Sequence, residues 1–120
     1  MKKKFINHRP FFIAEISTNH AGNISNAKKL IDAAKLGGAD AVKLQTYTPD
    51  MMALKFKKNN YKIKHGLWKN YDLWSLYKKA QTPIFWHKEL FNYAKVKKIK
   101  IFSSPFSEEA VDILENLNCP

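Results

Sequence analysis

Hydrophobic positions along the chain alternate between two periods. Phe11 to Ile16 (FFIAEI) is a short apolar run and predicts a first strand. The polar loop STNHAGN follows it. From Ser25 the period changes: Ala27, Leu30, Ile31 and Ala34 recur at i, i+3, i+4 and i+7, one face of a helix. Gly37-Gly38 ends that helix, because glycine enters the left-handed region beyond a helix end without a steric penalty. Ala39 to Thr46 predicts a second strand, and Tyr47 to about Lys69 a long connection. Leu73, Leu76, Tyr77 and Ala80 restore the helical period until Gln81-Thr82-Pro83 breaks it. A third helix begins near Pro83 or Trp86 and reaches about Lys97, with Leu90, Phe91 and Ala94 inward. Thr82 suits its N-cap and Pro83 its first position. Lys98 to Ser103 predicts a third strand. Ser107 then suits an N-cap, with Glu108 and Glu109 near the positive end of the helix dipole. Ala110, Ile113, Leu114 and Leu117 form the buried face of that last helix.

Strand, helix, strand, helices, strand, helix is the pattern of a parallel sheet with helical crossovers. Three such units neither close a barrel nor make a comfortable open sheet, and a barrel of eight needs roughly 250 residues. The expected fold class is therefore α/β, a partial TIM (β/α)8 barrel made of its first three βα units. On that expectation residues 1–120 are the N-terminal portion of a longer domain, either a truncated product or part of a longer chain, and inactive alone. Open sheet edges predict poor stability and aggregation.

Parity along the strands raises a chemical question. Val42 and Leu44 share one face of the second strand, and Lys43 and Gln45 the other. In a barrel the apolar pair suits the helices and the polar pair points into the lumen, near the strand ends where such folds keep catalytic groups. Glu15 has the opposite parity to Ala14 and Ile16, close to the end of the first strand. The third strand ends in Ser103-Ser104. Three successive strands thus finish in polar groups. A lysine and serine hydroxyls supply a positive charge and neutral donors, the makings of an anion site. A nearby glutamate pairs the lysine or takes a substrate hydroxyl. The alternative is an internal ion pair between Glu15 and Lys43 with no chemistry.

Composition adds bounds. The 120 residues are 45% hydrophobic, enough for a core. No run of about 18 apolar residues occurs, so no membrane span is expected. The opening MKKKFINHRPFFIAEIS has a signal peptide's charged start, but its apolar run is short and contains Glu15, which predicts a cytoplasmic protein. The single cysteine, Cys119, fits a reducing compartment. Net charge is +11, concentrated in Lys2 to Lys4, in 55–64 and in 95–100. That excess admits a basic nucleic-acid-binding module. Lysines at helical spacing, with no nucleic-acid motif beside them, favour solvated helix faces instead, so no nucleic-acid partner is expected. His65 and His87 stand in loop and helix-start contexts, and no two histidines have metal-ligand spacing. Trp68, Trp74 and Trp86 with Tyr61 suit either an aromatic wall over a site or core.

Three segments, AEISTNHAGN (14–23), GADAVKLQTYTPD (38–50) and FSSPFSEEAVDILE (102–115), resemble the sialic acid synthase family. The segment GLWKNYDLWSLYKKAQTPIFWHKELF (66–91) is most similar to the branch that makes pseudaminic acid; N-acetylneuraminate and legionaminate branches are the alternatives. The resemblance implies a TIM barrel followed by a small antifreeze-like domain, absent here, in a domain-swapped homodimer. It implies condensation of phosphoenolpyruvate, through its carbon 3, with an N-acetylated amino sugar (a 2,4-diacetamido-2,4,6-trideoxy hexose). Phosphate is released by C–O cleavage. A divalent metal, Mn2+ or Mg2+, polarises the sugar aldehyde, and its ligands are expected outside this chain. By the same resemblance Lys43 matches the lysine that holds phosphoenolpyruvate, and Ser104 the hydroxyl that contacts its phosphate. Gln45 and Glu15 match substrate-pocket residues, Glu15 on sugar hydroxyls, and Asn19 and His20 match a family signature. Glu15, Lys43 and Gln45 are the expected catalytic residues, with Ser104, Asn19 and His20 on the substrate.

Overall fold

The computed structural model describes residues 9–56 and 62–120; Lys2 to Lys4 and Tyr61 lie outside them. Its elements run β1 (Ile13–Glu15), α1 (Ile24–Leu36), β2 (Ala41–Thr46), α2 (Pro49–Met52), α3 (Leu73–Ala80), a 3-10 turn (Ile84–Trp86), α4 (His87–Val96), β3 (Lys100–Pro105) and α5 (Glu108–Asn116). The three strands form one parallel sheet in the order β1-β2-β3. This is the open arc expected of the first units of a (β/α)8 barrel. Register aligns Glu15 with Lys43 and Phe102, and Gln45 with Ser104.

One face of the arc is packed. Ile16, Val42, Leu44 and Ile101 meet Ala27 and Ile31 of α1 and Leu90 and Ala94 of α4, all buried. Ala110 and Leu114 bury the inner side of α5. Removing apolar area of this kind from water supplies the main stabilisation, about 25 cal/mol per Å². The other face stays partly open, as the parity argument requires: Lys43, Gln45, Phe102 and Ser104 are all partly exposed.

Capping fixes the helices. Asn23, two residues before the predicted start of α1 at Ser25, accepts the Ser25 N–H at 2.8 Å. Ser107 caps α5 as predicted, accepting from Ala110 N at 3.1 Å. Helices α1, α4 and α5 all end alike. The residue after the cap takes positive φ, at Gly38, Lys98 and Asn118. The next N–H then reaches back over the last turn: Ala39 to Ala34, Ile99 to Ala94, Cys119 to Leu114. This turn moves two strand starts. Lys98 and Ile99 belong to the helix end, so β3 runs Lys100–Pro105 rather than 98–103. Ala39 likewise leaves β2 to start at Ala41, and Asp40 and Ala41 both donate to Phe12 O (2.8 and 3.2 Å), a bulge pattern at the strand's entry.

Two expectations need correction. Thr82 caps nothing: it is buried, and Pro83 precedes a 3-10 turn before α4. The predicted connection of 47–69 holds a short helix, α2, which starts at Pro49 with Thr48 at its N-cap. Its far end folds back as Lys62 bridges Asp72. Helix α3 forms where its period placed it, capped by Asp72; none of its residues is fully buried and Leu73 is 49% exposed. It packs on α2, and its Tyr77 meets Tyr47 edge-on just after β2; periodicity reports a stripe without naming what covers it.

Candidate functional site

The C-terminal ends of the strands build the site. Lys43 Nζ stands 2.7 Å from Glu15 Oε2, across the β1–β2 pair. Side-chain exposures of 31% and 41% leave both groups open to a ligand and to water. Water screening makes such a pair a weak contributor to stability. Both readings of these residues survive: an ion pair exists, and it lies on the open face.

Ser17 organises the pair's surroundings, and sequence reasoning missed it. Its N–H donates to Glu15 Oε1 at 3.1 Å, which leaves Oε2 to the lysine. Its hydroxyl donates to Gln45 Oε1 at 2.9 Å. With its oxygen engaged, the Gln45 amide presents its NH2 as the unused end. Ser17 does this from a positive φ of 45°, just after β1. The signal available in sequence was a short polar residue directly after a strand, a type that tolerates such turns. Ser104 lies beside Gln45 in register, and its hydroxyl has no hydrogen bond among the described residues. The face thus offers one ammonium, one amide NH2 and one hydroxyl, with a carboxylate at its edge.

Ser103, paired with Ser104 in the sequence reading, points the other way. It is buried, and its Oγ lies 2.6 Å from Thr46 Oγ1. Asn19 is exposed on the turn after β1, its N–H bonded to Ile16 O at 3.1 Å. His20 is not brought to the Lys43 face. It is fully buried, Nδ1 accepting the Gly22 N–H at 3.0 Å and Nε2 lying 3.2 Å from Thr82 Oγ1. Nε2 therefore carries the proton, and burial lowers the pKa of the ring. His87 is buried too, with its pKa lowered chiefly by desolvation. The aromatic residues form no common wall among the described residues. Trp86 packs on His20 in the core, Trp68 meets Tyr71, and Trp74 donates to Asp50 under Lys55.

Among the described residues no three His, Cys, Asp or Glu side chains gather as metal ligands. The carboxylate on the open face already holds an ammonium, which repels a cation. The residues present therefore do not fit the divalent metal that the resemblance implies. No helix among the described residues is long and apolar enough to cross a membrane.

A parallel α/β arc with polar groups at its strand ends is a barrel-type α/β scaffold. The chain belongs to the NeuB family, whose model matches residues 30–120. It is 49% identical over 111 residues to the pseudaminic acid synthase of Helicobacter pylori, covering 92% of this chain and 33% of that protein. It is 37% identical over 118 residues to the N,N'-diacetyllegionaminic acid synthase of Campylobacter jejuni, covering 98% and 33%. The crystal structure of the N-acetylneuraminic acid synthetase of Leptospira borgpetersenii superposes with a TM-score of 0.73 at 26% identity. That match covers 94% of this chain and 35% of the other. The chain thus spans about a third of the length of the curated relatives it matches.

Proposed function

We propose that this chain carries the phosphoenolpyruvate-holding part of a synthase that joins phosphoenolpyruvate to a 2,4-diacetamido-2,4,6-trideoxy hexose, forming pseudaminic acid and phosphate. The observation that carries the reading is Lys43 beside Gln45 and Ser104 on an open face at the strand ends. The similarity to pseudaminic acid synthases, 49% against 37% for a legionaminic relative, supports the choice of sugar. On this reading Lys43 neutralises the carboxylate or phosphate of phosphoenolpyruvate, while the Gln45 NH2 and the Ser104 hydroxyl donate to its oxygens. Glu15 repels the anion and keeps the lysine aimed, and it accepts from a sugar hydroxyl. Residues 1–120 are then the N-terminal portion of the synthase barrel. Metal ligands, further phosphate contacts and an antifreeze-like domain in a homodimer come from outside them. The chain alone binds phosphoenolpyruvate without turning it over.

The test is a calorimetric or NMR titration of the chain with phosphoenolpyruvate. Lys43→Ala weakens binding by about 10- to 100-fold, the loss of one charge-assisted contact of roughly 1.5–3 kcal/mol. Equal binding by both proteins sinks the reading. Mixing the chain with the remainder of a synthase and following phosphate release with each of the three candidate sugars decides which acid is made.

A further inference from the structure

The helix side of the strand ends holds a second polar set, which the reading above does not use. His87 Nε2 lies 2.8 Å from Thr46 Oγ1, and Thr46 Oγ1 lies 2.6 Å from Ser103 Oγ. All three residues are buried. The ring's Nδ1 faces two carbonyl oxygens, of Pro83 and Ile84, each at 3.2 Å. Carbonyls only accept, so Nδ1 carries the proton and Nε2 accepts. Thr46 then donates to His87, and its oxygen accepts from Ser103. Every hydrogen in the chain of bonds has one direction. Both hydroxyl hydrogens are thereby committed.

The place of this chain gives it a task. Thr46 and Ser103 are the neighbours in sequence of Gln45 and Ser104, and side chains alternate, so anchoring the first pair on the back fixes the second pair on the front. A backbone bond joins the strands there, Phe106 N–H to Thr46 O at 3.3 Å. The side-chain bonds to His87 fasten β2 and β3 beside it. The same short segment also reaches β1. Thr82 bonds His20 on the β1–α1 loop, and Trp86 packs edge-on against that ring with centroids 5.3 Å apart. Residues 82–87 therefore grip the ends of all three strands from behind.

We propose that His87 is a positioning residue: through Thr46 and Ser103 it sets where Gln45 and Ser104 stand on the open face. This rests on the reading of that face as an anion site, but only in its ligand-binding consequence. The displacement needed is small, since misplacing a binding group by about 1 Å costs up to about 100-fold in function.

The experiment uses the chain with phosphoenolpyruvate as probe, in four forms: unaltered, His87→Leu, His87→Gln and Ser103→Ala. Leu114→Ala, in α5, is the control for general destabilisation. Nitrogen-15 spectra of the unaltered protein show His87 neutral with its proton on Nδ1. His87→Leu and Ser103→Ala shift or broaden the Gln45 and Ser104 amide signals and weaken binding about 10-fold or more, the scale of a misplaced contact. His87→Gln, whose side-chain oxygen can still accept from Thr46, restores both. Leu114→Ala moves neither. If His87→Leu does not fold, Ser103→Ala, which removes one hydroxyl, decides alone. A proton on Nε2 of His87, or unmoved Gln45 and Ser104 signals in folded His87→Leu or Ser103→Ala, overturns the proposal. If the unaltered chain fails to bind, the anion-site reading falls, and the amide signals still decide the role of His87.

Discussion

Ser17 shows how much one residue can arrange. Its N–H and its hydroxyl hold Glu15 and Gln45 at once, from a backbone conformation that favours glycine. Ser17→Ala is expected to cost about 0.5–1.5 kcal/mol of phosphoenolpyruvate affinity, the net value of one hydrogen bond. Ser17→Gly is expected to lose the same affinity while raising stability by about 0.5–1 kcal/mol, because glycine relieves the positive φ. Parallel titrations and melts separate the two effects; unchanged affinity in both variants would remove Ser17 from the site. The two buried histidines govern pH dependence. Burial holds both below the ordinary value of 6.5. The unfolded chain therefore takes up protons at a pH where the folded chain does not. Stability is complete above about pH 6.5 and falls as pH drops from there through the folded values. Asp32, bonded to Lys97 and Tyr93, and Asp72, bonded to Ser75, are held below the usual carboxylate range and titrate further down. Urea midpoints between pH 7.5 and 5.5 should decline in the parent chain. A flat profile would refute the assignment.

At the level of elements, the recurring helix end is the controlling device. Lys98 fills at α4 the left-handed position that Gly38 fills at α1. A side chain there costs about 1 kcal/mol, and the Lys98 carbonyl, which accepts from Lys35 Nζ at 2.9 Å, survives substitution. Lys98→Gly is therefore expected to raise stability by about 1 kcal/mol, read as a higher melting temperature; a fall would contradict the geometry. The same device explains where sequence reading succeeded. Period and parity placed α1, β2 and α5 and put Lys43 and Gln45 on a face apart from Val42 and Leu44, because alternation is a property of the backbone. Ser103 was misjudged because a strand end read two residues early hid that it and Ser104 face opposite ways. His20 and Thr82 are 62 residues apart, and no local pattern announces their bond. The α3 stripe was legible, and its covering was not.

For the molecule as a whole, the open arc is the dominant fact. Beside β1, Phe11, Phe12 and Ile13 are each about half exposed, and Phe12 and Ile13 line a groove with Ala14 and Ala39. Beside β3 a second groove is lined by Phe91, Ile99, Ile101 and Leu117. Edges of this kind recruit other strands. The chain is expected to self-associate as its concentration rises, seen as growing mass by light scattering. Ile13→Lys, a charge placed on the exposed edge, should suppress it. If Ile13→Lys associates as strongly as the parent, the β1 edge is not the adhesive one.

The bulge at Asp40 bears on how the sheet keeps its sidedness. β3 begins two residues after its left-handed turn residue, and β2 begins three after its own. An odd discrepancy of one ought to turn the second strand inside out and bury Lys43 among the helices. It does not, because Asp40 and Ala41 share one acceptor and count as a single step. The bulge is a frame-shift corrector: it absorbs the surplus residue before the alternation starts. The chain can therefore lose a residue at Asp40 and keep its reading frame, whereas losing one inside Ala41–Thr46 exchanges core for site.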